Sequence, residues 1–151
     1  MTTLRQAQVT FDARNAAALA RFWADALQWE VEPGASQWVA RVGGPAHPEG
    51  SLPLLFIHVP EAKAGKTRIH LDLHSMDLPA ELERLVGLGA TIVHEKCEWG
   101  VHWFTLQDPE GNEFCLAEEA PSGEGPPAAA SRTAVPPADG PPTDGSSTPE
   151  D

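Results

Sequence analysis

Tyrosine is absent from this chain of 151 residues, cysteine and methionine occur twice each, and ten basic residues face 22 acidic ones. Each scarcity closes off a class of function. Cys97 and Cys115 are too few for a disulfide scaffold and point to a reducing compartment. A net charge of −12 without a Lys/Arg cluster argues against DNA or RNA, whose binding draws on phosphate neutralisation. It argues equally against an anionic membrane surface. No apolar run is long enough to span a bilayer, and the N-terminal MTTLRQAQVTF lacks the apolar core of a signal peptide. Together these absences predict a soluble, cytoplasmic protein that binds neither nucleic acid nor membrane.

What is present is unevenly spread. All five Trp and all five Phe lie before residue 120, whereas the last 32 residues hold eight of the fifteen Pro and a single large aliphatic, Val135. Such a segment buries too little apolar surface to offset its ordering entropy. We therefore expect one α+β domain over 1–119 and a disordered Pro/Gly-rich tail over 120–151. Five carboxylates against Arg132 leave −4 on the tail and −8 on the body.

Within the body, Gln6–Phe11 reads as a strand and Asn15 as the cap of a helix running to Gln28. Strand-like runs follow at Trp29–Glu32, Gln37–Val42 and Leu52–Val59. The pattern then restarts, with a strand at Thr67–His74 and a helix opened by Asp77 and Pro79. Leu78, Leu82, Leu85 and Leu88 give that helix an apolar stripe, and Gly89 ends it. Strands at Thr91–Cys97, Val101–Leu106 and Glu113–Leu116 complete the series. Setting VTFDARN against IHLDLHS pairs Thr10 with His70 and Asp12 with Asp72, and a Pro-Glu-Gly turn precedes the last strand of each half. The repeat implies two βαβββ modules, over about 5–60 and 66–119.

Two such modules side by side leave a concave, cup-shaped half-barrel of sheet that is covered by helices on one face only. Alternation assigns the faces. Ile69, Leu71 and Leu73 should pack under the second helix, leaving His70, Asp72 and His74 in the trough. Trp103 and Phe104 must point to opposite faces, so at least one aromatic lines the cup, with Trp38 in a comparable place in the first module.

The segments RFWADAL, IHLDL, LVGLGA and above all DPEGNEFCL resemble the vicinal-oxygen-chelate superfamily, in its glyoxalase-like and bleomycin-resistance-like branch. The resemblance covers about residues 5–118 and implies paired modules, a cup-shaped site and a homodimer. It also implies a divalent metal held by a His early in the first strand, a carboxylate late in the fourth, and their counterparts in the second module. In this chain those places fall on Thr10, on Phe56 or Ile57, on His70 and on Cys115. His70 is the only family ligand retained, so neither a bound metal nor another cofactor is expected. His70 and Cys115 are able to hold zinc only with help from Asp12 or Asp72.

The function so implied is binding of a small apolar or aromatic metabolite or antibiotic near Thr10, Trp38, Phe56, His70, Trp103 and Cys115. The alternative is a lyase, isomerase or dehydratase in which His70 acts as acid or base with Asp72 nearby, because an imidazole titrates near neutral pH. A module recruiting proteins through its Pro-rich tail is a third class, but the tail has no clear PxxP ligand.

Overall fold

The computed structural model describes residues 4–44, 47–98 and 100–119, so the tail expected over 120–151 lies outside the described residues. Among the described residues, seven strands and two helices run in the order β1 (Val9–Ala13), α1 (Ala16–Leu27), β2 (Val39–Val42), β3 (Leu54–His58), β4 (Asp72–Ser75), α2 (Leu78–Leu88), β5 (Thr91–Glu98), β6 (Val101–Gln107) and β7 (Glu113–Glu118). They form two open sheets, ordered β1-β3-β2 and β4-β7-β6-β5. In each, the first strand lies parallel to the last and the others pair antiparallel. The two modules read from the sequence therefore share one pairing scheme, the first with one strand fewer.

The helices begin where side chains replace missing backbone partners. Asn15 accepts from Ala18 N, and Asp77 accepts from Ala80 N, each at 3.1 Å. Gly89 ends α2 in the left-handed region at φ 115°, where a Cβ would be strained. The expected strand at Trp29–Glu32 shrinks to a single bridge, Val31 to Val42, because Gln28 takes a left-handed conformation before it and Pro33-Gly34 turn the chain after it.

One helix supplies most of the core. Leu19, Phe22, Trp23 and Ala26 of α1 are buried, and Trp23 contacts Phe11 of its own sheet and Phe114 of the other at centroid distances of 5.4 and 5.1 Å. Full burial of a side chain this large contributes about 2–3 kcal/mol relative to leaving it in water. In α2 only Leu78 and Leu85 are fully buried, with Leu82 and Leu88 half-buried beside them.

Polar groups lock the modules together around α1. Glu110 accepts from Arg14 N and Asn15 N at 2.7 and 3.0 Å, placing a carboxylate at the helix N-terminus. At the other end, Arg84 of α2 donates to the carbonyls of Asp25 and Ala26, which have no partner within α1. Between them, the Trp23 indole donates to buried Asp108 at 3.1 Å. Asp108 also accepts from the backbone N–H groups of Glu110 and Asn112 and from the Asn112 amide, so it shapes the Asp-Pro-Glu-Gly-Asn turn. Burial pushes its carboxyl above the usual range, and these hydrogen bonds work against that shift.

Asp108→Ala strips the acceptor from the indole and from two turn amides. It should destabilise the protein by about 2–4 kcal/mol, since each buried donor left unpaired costs about 1–3 kcal/mol. Urea unfolding followed by Trp fluorescence should show a lower midpoint at an unchanged slope.

Candidate functional site

Register and burial settle which side chains share the uncovered face of each sheet. In the first sheet, Phe11 and Phe56 stack at 5.2 Å toward α1, so their neighbours Thr10, Asp12, Leu55 and Ile57 look the other way. In the second, Phe104, Phe114 and Leu116 join the core, leaving Asp72, His74, Cys115, Thr105 and Trp103 on the opposite face. Of the Trp103–Phe104 pair it is therefore Trp103 that faces the trough. Leu71 and Leu73 pack on the core as expected, but Ile69 is 86% exposed ahead of β4.

A cavity of about 1110 Å³ opens between β1 and the connection that runs into β4. Gln8, Thr10, Phe11, Ile69, His70 and Glu113 are among the residues that line it. Of the residues assigned to a ligand from sequence, Thr10 and His70 border this cavity. Phe56 does not, because alternation turns it fully into the core; Leu55 and Ile57 have the outward parity instead. Trp38 precedes β2, is 60% exposed, and stands edge-on to His58 at 4.8 Å, away from the cavity. Trp103 and Cys115 lie on the trough face of the second sheet, outside the cavity lining.

The helix caps correct the internal alignment. Asn15 and Asp77 hold equivalent places, and Val59 N bonds Ala13 O as Glu119 N bonds Ser75 O. Strand partners agree, with Thr10 opposite Leu55 and Asp72 opposite Cys115. The counterpart of His70 is thus Gln8, two residues before Thr10, and the counterpart of Cys115 is Leu55 rather than Phe56 or Ile57. Motif likeness between VTFD and IHLD hid this two-residue shift; the spacing from strand to helix cap was the signal that reveals it.

Three donor side chains come together at the start of the second sheet. His70 Nε2 lies 3.2 Å from the Asp72 carboxylate, and the ligand atoms of His70, Asp72 and Cys115 all fall within 4.8 Å of one another. Asp12, on β1 in the other sheet, is not part of this group. Cys115 is half-buried, with the Thr105 hydroxyl 3.6 Å from its sulfur. Burial pushes its thiol upward; the Thr105 hydrogen bond opposes this, and the Asp72 charge adds to it.

Sequence reasoning overlooked Glu113 at the cavity edge. It accepts from Thr67 N and Oγ1 at 3.0 and 2.7 Å, from Lys63 at 3.0 Å and from Gln107 at 3.2 Å. Burial alone would push this carboxyl up, but the bonds from Thr67, Lys63 and Gln107 outweigh it and hold the group far below the usual carboxylate range. Lys63 is thereby neutralised locally. Partners some fifty residues apart leave no periodic trace.

The sequence matches the glyoxalase-like domain over residues 8–117. The chain belongs to this family, within the vicinal-oxygen-chelate superfamily. Its fold resembles a glyoxalase/bleomycin resistance protein/dioxygenase family enzyme from Burkholderia phytofirmans PsJN, at 15% identity and TM-score 0.60, over 74% of this chain and 96% of that one. The fosfomycin resistance protein FosX from Mesorhizobium loti aligns at 14% identity and TM-score 0.59, over 80% and 95% of the two chains. A bleomycin-binding protein solved with bleomycin aligns at 19% and 0.54, over 78% and 100%. No curated protein sequence matches the chain. Among the described residues of this glyoxalase-like protein, no helix is long and apolar enough to cross a membrane.

Membership raises the question of the superfamily's two-imidazole, two-carboxylate metal set. Carried over by the resemblance and the strand register, its four places would fall on Gln8, Leu55, His70 and Cys115, and Leu55 carries no donor atom. The family's full set does not fit this chain.

Because Glu113 is held below its ordinary range, its contribution to stability is complete above the unfolded-state value near 4.5 and is lost as pH falls below it. Glu113→Gln should lower stability by about 1–3 kcal/mol at pH 7. In thermal melts the gap to wild type should narrow steadily below about pH 4.5.

Proposed function

We propose that this chain is a small-molecule-binding member of the glyoxalase-like family that takes an apolar or aromatic metabolite or antibiotic in the cavity between β1 and the entry to β4. The observation that carries this reading is the cavity itself. At about 1110 Å³ it admits a drug-sized organic molecule. Phe11, Ile69 and Leu71 offer apolar wall, while Thr10 and His70 supply polar contacts from two different modules. Binding in this reading does not use the family's four-donor metal centre, since Leu55 interrupts it. Similar folds in a bleomycin-binding protein and a fosfomycin resistance protein add support for sequestration as a role.

The protein would act in the cytoplasm as a homodimer. Val39 and Ile57, cross-strand partners on the uncovered face of the first sheet, are exposed, an apolar pair that a second copy would cover.

A second reading is favoured by the 3.2 Å contact between His70 and Asp72. A carboxylate on Nε2 orients the imidazole, as a general acid or base in a lyase, isomerase or dehydratase requires. In that case His70→Ala would abolish turnover while leaving substrate binding largely intact.

Titration with bleomycin, fosfomycin and a panel of flat apolar natural products should produce saturable quenching of Trp fluorescence, because Trp23 borders the cavity. Thr10→Arg, which fills the mouth at an exposed position, should abolish the quenching without altering circular dichroism. A panel that shifts neither fluorescence nor melting temperature, alongside turnover of a glyoxalase-type substrate, would eliminate the binding reading in favour of the enzyme. Equilibrium sedimentation should give a dimer for wild type and a monomer for Ile57→Asp.

A further inference from the structure

We propose that His70, Asp72 and Cys115 form a site for one thiophilic divalent cation of the zinc class, held wholly within the second module. This set differs from the superfamily's metal centre, which draws on both modules and on carboxylates. Here no residue of the first sheet takes part, a thiolate replaces a carboxylate, and Asp72 enters from a position outside the family's four.

The backbone arranges the three donors. Asp72 and Cys115 are direct partners in the parallel pair β4–β7, so their side chains leave the same face of adjacent strands. His70 precedes Asp72 by two residues and shares its parity, and the 3.2 Å contact shows that its ring turns to the same spot. Zinc bonds of about 2.0–2.3 Å in a tetrahedron place donor atoms roughly 3.3–3.8 Å apart. The largest separation here is no more than 4.8 Å, so closing on an ion takes about an ångström of movement. His70 and Asp72 are both exposed and have the torsional freedom to supply it, while Cys115 is the more firmly packed anchor.

The donor chemistry selects the ion. One imidazole, one carboxylate and one thiolate suit zinc or cobalt, whereas magnesium and manganese favour oxygen donors. Three protein ligands also leave one position open, the pattern of a site that exchanges water or ligand rather than a closed structural one. His70 borders the cavity, so it connects the donor cluster with the proposed ligand volume. The inference does not depend on the small-molecule reading, and its test uses no organic ligand.

The test is titration of cobalt(II) into the full chain carrying Cys97→Ser, so that Cys115 is the sole thiol. One equivalent should bind with a near-ultraviolet thiolate-to-cobalt charge-transfer band, and zinc should displace it. Cys115→Ser should remove the band, and His70→Ala and Asp72→Asn should each weaken binding by roughly tenfold or more. Zinc should raise the melting temperature of the parent but not that of Cys115→Ser, with circular dichroism confirming that each variant is folded. Three results would overturn the proposal: a band that survives Cys115→Ser, binding well below one equivalent at micromolar metal, or an Asp72→Asn variant that binds as well as the parent.

Discussion

The indole of Trp23 resting on Asp108 is the contact on which the arrangement of the two modules turns. An aromatic side chain of the first module is buried between both sheets, and its one polar atom finds its partner in a turn 85 residues further along. That turn in turn presents Glu110 to the start of α1, so the same five residues satisfy a buried indole and a helix N-terminus together. Without an acceptor at Asp108, the ring would carry an unpaired N–H into the core and the turn would lose its internal template. Trp23, Pro109 and Glu110, all part of this fastening, also line the cavity.

Much of the fold was legible in the sequence because alternation and capping act locally. The stripe of Leu78, Leu82, Leu85 and Leu88, the caps Asn15 and Asp77, and the opposed faces of Trp103 and Phe104 all follow from helical or strand period. The site was less legible. The family's fourth-strand place reads from sequence as Phe56 or Ile57, and a shift of one residue in a strand exchanges core for solvent. His70 was matched to Thr10 by motif likeness, whereas the caps show that Gln8 is its mate. The carboxylates that organise the cavity, Glu110 and Glu113, work through partners some 46–96 residues away, a distance at which periodicity carries no information.

The physical difference between the modules is equally plain in their polar inventories. On the uncovered face, the Thr10–Leu55 pair of the first sheet stands where the second has Asp72–Cys115. The backbone geometry is shared, so the contrast in chemistry comes from side chains alone. The fold rests on the shared geometry, whereas family membership rests on the sequence match over residues 8–117.

Leu55 therefore has a meaning beyond its place in a strand. A duplicated fold begins with two equal copies of every functional position, and symmetry obliges both to serve one purpose. An aliphatic side chain at one copy releases its half from that obligation. In this protein the two halves carry different side chains at that equivalent position, Leu55 in one and Cys115 in the other.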